Sequence, residues 1–360
     1  MTINPYNPKS LHPLFPQFCP CPDCPYYLDL DNYITKDGTY PVKTEAQRRQ
    51  RLYCHGGKHR FSEMAYSPLF GHHGSFSEYT QTAKMSSYGL SCDQIADVLE
   101  RDPRTILQWQ QALGQKSQSF HLALCTLIGL TLTFIQMDEI WSYLKKKKRQ
   151  MWFFITLEAR TKFWVNFELG SRTGHTANRL LKRLVYLMPF GFADFLLITT
   201  DKLAAYERAI ALYLQKVRYA YLQIVKQRKK KRLVTVKERL VTGKESDFGK
   251  KTHNTSYIER FNLTLRQKVS FLNRKTLGYC KNQKSAQWVM WLNLFDYNYR
   301  QFHKSLRQDL TGQPVKFQSR YRHFTPAMKM GLTSTRLEWR DLIVAPIAPN
   351  AHEFVTSTDL

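Results

Sequence analysis

Three carboxylates stand where a site that cuts a polyanion would need them. Asp138 lies within LTLTFIQMDEIWSYL, Asp201 closes FLLITTD, and Glu259 falls near the start of TSYIERFNLTLRQKVSFLNRKTL. Phosphoryl transfer between nucleic-acid strands uses divalent cations, one to activate the attacking oxygen and one to stabilise the leaving oxygen. Mg²⁺ is a hard cation that takes oxygen ligands and keeps several waters, so two or three carboxylates suffice. Each residue also has a plain structural reading. Asp138 adjoins Glu139, alternation sends the two to opposite faces of a strand, and the pattern does not choose between them. An Asp after a strand, such as Asp201, is often a helix N-cap. Glu259 can pair with Arg260 or Arg266. The order of the three, on strand, strand end and helix, is what favours chemistry.

The elements around them follow from periodicity. In the third stretch Ile258, Phe261, Leu265, Val269 and Leu272 recur at steps of three or four and predict a helix over 255–277. Glu259, Asn262 and Arg266 form its neighbouring polar stripe, the wall of an anion-handling site. LTLTFIQMDEIWSYL, MWFFITLEA and KFWVNFEL predict three strands joined by short turns, the first turn being Lys145 to Gln150. A helix over 174–188, a buried strand over 195–200 and a helix over 202–214 come next. Three strands, helix, strand, helix is the order of an RNase H-like core, assigned to residues 130–307. The charged stretch 215–252, with VKQRKKKRLV and VKERLVTGK, is read as an insert outside that core.

The front of the chain reads as two small modules. Residues 19–66 hold FCPCPDCPYY and LYCHGGKHRFSE, which is zinc-ribbon spacing. Cys21, Cys24 and Cys54 supply three ligands. Gly57 occupies the place of a fourth Cys, so the fourth ligand is His59, His55 or Cys19, with His59 preferred. Residues 76–118 read as helix, Gly turn, helix, short turn, helix, a helix-turn-helix pattern. Its last helix would enter the major groove, led by Arg104, Thr105, Gln108 and Gln111. Residues 1–18 are Pro-rich and expected to be disordered. Residues 308–360 are expected to form a tail, with a small helical part over 325–342 and disorder over 344–360. The fold class is therefore α/β, with an RNase H-like catalytic core behind a zinc-ribbon-like module and an all-α helix-turn-helix.

Composition agrees with a polyanion partner. The 360 residues include 54 Lys and Arg against 28 Asp and Glu, a formal net charge of +26. Clustered bases of that number point to nucleic acid or an anionic membrane. No basic amphipathic helix with a large apolar face stands out, which disfavours the membrane. The apolar run 122–137 contains Thr126, Thr131, Thr133, Gln136 and a central Gly129, and reads as a helix end passing into a buried strand. Seven cysteines, several of them isolated, suit a reducing compartment with close-spaced pairs serving metal. No signal peptide is visible.

MDEIWSYLKKKKRQMWFF, ITTDKLAAY and YIERFNLTLRQKVSFLNRKTLGYCKNQKS resemble the InsAB-type, IS-one-like transposases of short bacterial insertion sequences. The resemblance runs from about Cys19 to Arg307 and is strongest between Tyr257 and Ser285. It implies a zinc finger and helix-turn-helix before a DDE catalytic domain, with Asp138, Asp201 and Glu259 as the catalytic, Mg²⁺- or Mn²⁺-binding triad. Arg266 matches the arginine seven residues after the glutamate, and Asn262, Arg274 and Lys275 are motif neighbours expected to touch DNA. Gly57, Lys202 where a Gly is common, and the long stretch 215–252 depart from the family pattern. The expected activity is binding of terminal inverted repeats, metal-dependent strand cleavage and strand transfer. Double-stranded DNA and further copies of the chain are the expected partners, in the bacterial cytoplasm on the nucleoid. A transposase-derived repressor without catalysis and an RNase H-like nuclease are the alternatives.

Overall fold

The structure is a computed structural model that describes residues 14–43, 45, 48–189, 191, 193–229, 232–249, 252–275, 278–311 and 320–347. In chain order the elements are β1 (Ile34–Tyr40), β2 (Arg49–Cys54), β3 (His59–Ser62), α1 (Phe76–Ser87), α2 (Cys92–Leu99) and α3 (Pro103–Ile128). Then come β4 (Phe134–Tyr143), β5 (Gln150–Glu158), β6 (Phe163–Gly170), α4 (Gly174–Tyr186), β7 (Leu196–Thr200) and α5 (Ala204–Tyr213). The last are β8 (Tyr219–Lys229), β9 (Arg232–Thr242), α6 (Ser256–Lys268), α7 (Gln283–Phe295), α8 (Pro326–Lys329) and α9 (Trp339–Ile343). They form two compact units. One is Met1–Ile128 with Gln287–Asp296 and Leu337–Leu360, and the other is Gly129–Ala286 with Tyr297–Arg336.

The first unit opens with an antiparallel sheet, β1-β2-β3. Helices α1 and α2 begin at Ser75 and Ser91, each closed by a reciprocal capping box with Glu78 and Gln94. Gly89 at φ +85° ends the first helix in the left-handed region that suits glycine. Pro103 opens α3, where a missing N–H costs nothing. This helix runs to Ile128, past residue 118 where the helical module was expected to end, because Leu113, Phe120 and Leu124 continue its buried face. Gly114 lets α7 come close, since a Cβ there would lie 2.5 Å from the Trp288 Cβ. The same unit takes in the chain end. Trp339 packs on Phe295 at 5.1 Å between ring centroids, and the Lys116 ammonium donates to the Ala345 carbonyl at 2.5 Å.

These contacts correct two expectations. Leu14, Phe15 and Phe18, assigned to a disordered start, are buried, with the Phe15 ring 5.2 Å from Phe120. Residues 1–13 lie outside the described residues. Residues 337–347, assigned to an appended tail, are part of the first unit's core, where Leu342, Ile343 and Ala345 are fully buried. Of the disorder expected over 344–360, residues 344–347 are instead placed with Ala345 buried, and residues 348–360 lie outside the described residues.

In the second unit the sheet order is β6-β5-β4-β7-β8-β9. The β4–β5 and β5–β6 pairs are antiparallel, whereas β4–β7 and β7–β8 are parallel. A meander followed by parallel strands, with α4 packed against β6 and α5, is consistent with an RNase H-like core. The stretch 215–252 is not outside the core. Its first half is β8, which pairs with β7 and buries Ala220, Tyr221, Leu222 and Ile224, and β9 pairs back onto it. Its run of bases hid a strand that is covered on both faces at its start. The predicted helix over 255–277 is shorter. α6 ends at Lys268, and Val269 is extended at φ −108° and ψ 108° before a 3-10 turn at Ser270–Leu272. Helix α7 is followed by a π-helical turn, Asp296–Arg300. Among the described residues no helix is long and apolar enough to cross a membrane.

Candidate metal and nucleic-acid sites

The parallel pair β4–β7 ends at Met137 and Thr200, and the next residues of the two strands are Asp138 and Asp201. β7 ends there while β4 runs on, so the side chains just past the last parallel pair meet in the crevice where the two strands part. One carboxylate oxygen from each of Asp138, Glu139 and Asp201 lies within 4.8 Å of the others. Helix α6 closes the cavity from another side. Its start is pinned to the sheet by Gln136, whose amide donates to the Asn254 carbonyl at 2.6 Å and accepts from the Ile258 N–H at 2.9 Å. Thr199 also donates to the Asn254 carbonyl, at 3.1 Å. Glu259 therefore sits in the first turn of α6, where the helix dipole favours a carboxylate. The cavity measures about 560 Å³ and is lined by Asp138, Glu139, Asp201, Glu259, Asn262, Arg266 and Arg274, among others.

Protein cations and amides partly offset this negative charge. Asn262 donates to Asp138 at 2.8 Å. Arg172 lies 3.0 Å from Glu139 and 3.6 Å from Asp201. Lys226 pairs with Glu259, which also accepts from the Thr255 hydroxyl. Burial and the charge of Asp201 push the Asp138 carboxyl up to about 6. Burial, Asp201 and Asp138 push Glu139 up to about 8. Burial and the nearby Arg274 hold the half-buried Arg266 guanidinium below its ordinary range. Glu139 Oε1 and Asn262 Oδ1 are buried with no hydrogen-bond partner. Clustered carboxylates that resist ionisation, beside open buried oxygens, fit a hard divalent cation with its waters.

The structure thus brings Asp138, Asp201 and Glu259 to one cavity, with Glu259 turned to Lys226 rather than into the 4.8 Å trio. It adds Glu139, Arg172 and Lys226. Alternation left Glu139 open, and Lys226 was hidden in the stretch set aside as an insert. Gln136 carried a signal, a buried amide two residues before Asp138 and so on the same strand face. Arg172 carried none. Lys275 is exposed past the end of α6 and does not line the cavity, whereas Arg274 does.

In the first unit Cys19, Cys24, Cys54 and His59 each offer a ligand atom within 4.8 Å of the others. This corrects the expected set, which held Cys21 in place of Cys19. The chain turns at Cys21, with the Cys24 N–H donating to its carbonyl, while Cys19 bridges to Tyr27 and points inward. His55 is elsewhere, bonded to Thr35 at 3.0 Å. Cys24 and Cys54 sulfurs are 3.9 Å apart, close to the ~3.8 Å edge of a tetrahedron with ~2.3 Å Zn–S bonds. Cys19 Sγ is 3.3 Å from His59 Nε2. A Cβ at Gly57 would fall 2.4 Å from Cys24 Sγ and 2.8 Å from the His59 ring, so glycine is what lets His59 take that corner. Burial pushes the Cys19 thiol up to about 12. Cys54 is lowered even though burial opposes it, because the Asn32 amide at 3.0 Å and the Gly57 N–H at 3.2 Å donate to its sulfur. No disulfide joins any of the seven cysteines, all of which are among the described residues.

On α3, Arg104, Gln108 and Gln111 are exposed and Thr105 is half-exposed, while Ile106, Trp109 and Gln110 face inward. Gln110 is held by the Ser86 hydroxyl at 3.0 Å. The predicted reading face is therefore open to solvent along one side of the helix.

Comparison with known proteins bears on the second unit. The IS1 transposase family model matches residues 131–246, which hold Asp138 and Asp201 but stop short of Glu259. Over 147 residues the chain is 29% identical to the Insertion element IS1 4 protein InsB of Escherichia coli (strain K12), covering 41% of this chain and 65% of that protein. The Insertion element IS1 protein InsB of Shigella sonnei is also 29% identical over 147 residues, covering 82% of its length. A third relative, Insertion element IS1 2 protein InsB of Escherichia coli (strain K12), is 29% identical over 164 residues, 45% of this chain and 75% of its own. The chain therefore spans just under two thirds of the first of these relatives. Through residues 131–246 this chain is similar to the IS1 transposase family.

Proposed function

We propose that the chain is a DDE transposase that binds the ends of its own insertion sequence, cuts one strand and joins it to target DNA. One observation carries this reading: carboxylates from β4, the end of β7 and the start of α6 line a single cavity in a chain whose second unit matches the IS1 transposase family. Asp138, Asp201 and Glu259 would hold Mg²⁺ or Mn²⁺, with Glu139 at hand. Those cations, when bound, would activate the attacking hydroxyl and stabilise the leaving oxygen. Asn262 orients Asp138 through its amide, and Gln136 and Thr199 hold the start of α6 so that Glu259 faces the cavity. Arg266 and Arg274 line the wall where a DNA phosphate would sit, and exposed Lys275 extends their charge.

Cys19, Cys24, Cys54 and His59 would hold zinc and keep β1–β3 in place. Arg104, Thr105, Gln108 and Gln111 would read the major groove of the terminal repeats. A chain of charge +26 takes most of its affinity from phosphate contacts, so binding should fall steeply with salt. Two ends must be paired for transposition, which calls for more than one copy of the chain, acting in the bacterial cytoplasm where the DNA is.

The test uses a duplex bearing one element end with Mg²⁺. Asp138→Ala, Asp201→Ala and Glu259→Ala should each lower cleavage and joining by at least about a thousandfold while binding of the end changes less than about threefold. Cleavage at the wild-type rate by any of the three would sink the assignment. Wild-type binding with no cleavage would favour a repressor, and cleavage without joining would favour a nuclease.

A further inference from the structure

A line of rings leads out of the carboxylate cavity along the β4–β5 hairpin. It begins at Arg172, which pairs with Glu139 and Asp201 and lays its guanidinium over the Trp152 ring at 4.9 Å. Trp152 is the register partner of Trp141 across the two strands. Trp141 lies 5.5 Å from Tyr143 between ring centroids, tilted by 34°, and Tyr143 stacks on Tyr279 at 6.3 Å and 29°. Tyr279 is exposed, and Trp141 and Trp152 are half-exposed. The line ends at the hairpin tip, Lys145–Arg149, where every residue is exposed and Lys145 is tied to the Cys280 carbonyl at 2.9 Å.

Glu139, Trp141 and Tyr143 alternate with Asp138, Ile140 and Ser142, so the rings share one face of β4. Tyr143 itself is buried and backs the exposed Tyr279, so the accessible rings are Trp141, Trp152 and Tyr279. The two-residue step from Trp141 to Tyr143 covers about 7 Å at ~3.4 Å per residue, the rise of about two stacked nucleotides. Ring faces with a basic margin are what an unpaired strand needs. Bases stack on aromatic side chains without regard to sequence, and the phosphates meet lysine and arginine. A base-paired duplex hides its ring faces and cannot use such a track.

We infer that the β4–β5 face, from Arg172 through Trp152 and Trp141 to Tyr279, holds a short unpaired DNA strand beside the cut. This rests on the proposed transposase function and deepens it, since it gives the site a preference for frayed or extended ends. The step is one of binding only, with no bond made or broken. Cross-strand aromatic pairs also stabilise hairpins, so the experiment must move DNA binding and leave folding in place.

The probe is a short duplex, blunt or carrying a four-thymidine 3′ extension, without Mg²⁺, and fluorescence anisotropy reads the affinity. The extended duplex should bind about tenfold more tightly than the blunt one, the worth of one to two stacked bases. Trp141→Ala and Tyr279→Ala should each remove most of that preference and leave blunt-duplex affinity within about twofold of wild type. Trp141→Phe, which keeps a ring, should retain it. A 2-aminopurine placed in the extension should be quenched by the wild type and by Trp141→Phe but not by Trp141→Ala. Equal affinity for the two duplexes in the wild type, or an equal loss for both in Trp141→Ala, overturns the inference and leaves the proposed function standing. Failure of the wild type to bind either duplex overturns both.

Discussion

The cysteine cluster and the carboxylate cavity are both sets of ligand-type side chains, and they stand in opposite relation to water. The cluster is closed. Its sulfurs and the His59 ring are in mutual contact, and N–H groups of Tyr26, Asn32 and Gly57 point at sulfur. Cys19, Cys24 and Cys54 are buried. The cavity is open, at about 560 Å³, and its carboxylates meet cations and an amide, with Arg172 shared by Glu139 and Asp201, Lys226 on Glu259 and Asn262 on Asp138. A closed set of soft ligands suits a structural ion, and an open set of hard ligands suits an ion that must leave room for substrate. The two sites therefore differ in what they cost the fold when empty. On the proposed reading the cluster would depend on its ion, whereas the cavity carries surplus charge that the fold tolerates.

The largest effect that would break this contrast is at Cys54. Cys54→Ser should abolish stoichiometric zinc and melt the β1–β3 module, because a structural zinc contributes on the order of 10 kcal/mol. Zinc content and the thermal unfolding profile would report it, and a variant that keeps one zinc with an unchanged profile would contradict a closed site. A smaller effect sharpens the geometry. Gly57→Ala forces a Cβ to 2.4 Å from Cys24 Sγ, and overpacking of that kind costs about 1–3 kcal/mol. Denaturation with zinc present should show the loss.

The smallest effect has the opposite sign and belongs to the cavity. The folded state raises Asp138 from 3.8 to about 6, so its charged form is penalised. That penalty is full above pH about 6 and vanishes below about 3.8, where both states are protonated. Asp138→Asn should therefore stabilise the Mg²⁺-free protein by about 2 kcal/mol at pH 8, with the gain shrinking as pH falls from 6 toward 4. Urea unfolding at the two ends of that range decides it. A destabilised Asp138→Asn at pH 8 would mean that the cavity is held together by its charges rather than strained by them.

Legibility in the sequence followed the range of the signal. The meander, the strand before Asp201 and the start of α6 are written in patterns a few residues long, and they stand as predicted apart from their ends. The charged stretch 215–252 misled because its start, around Tyr219–Ile224, is a strand covered on both faces, which has no alternation to read. Cys19 and Cys21 could not be told apart by spacing, since the turn at Cys21 decides which sulfur points inward. Glu139 was left open for the converse reason: alternation set it apart from Asp138, yet both reach Asp201 where β4 and β7 part.

The sequence by itself determined the order of carboxylates on strand, strand end and helix, the basic charge, and the cysteine-rich front. These are local or additive properties, and no folding is needed to count them. Only the tertiary structure decided which of those side chains meet. It placed Lys226 on Glu259, Arg172 between Glu139 and Asp201, His59 with Cys19, and residues 287–296 and 337–347 with the N-terminal unit. Each of these joins residues far apart in the chain. Their meeting depends on sheet order and helix packing, which many separate stretches set together and no single stretch encodes.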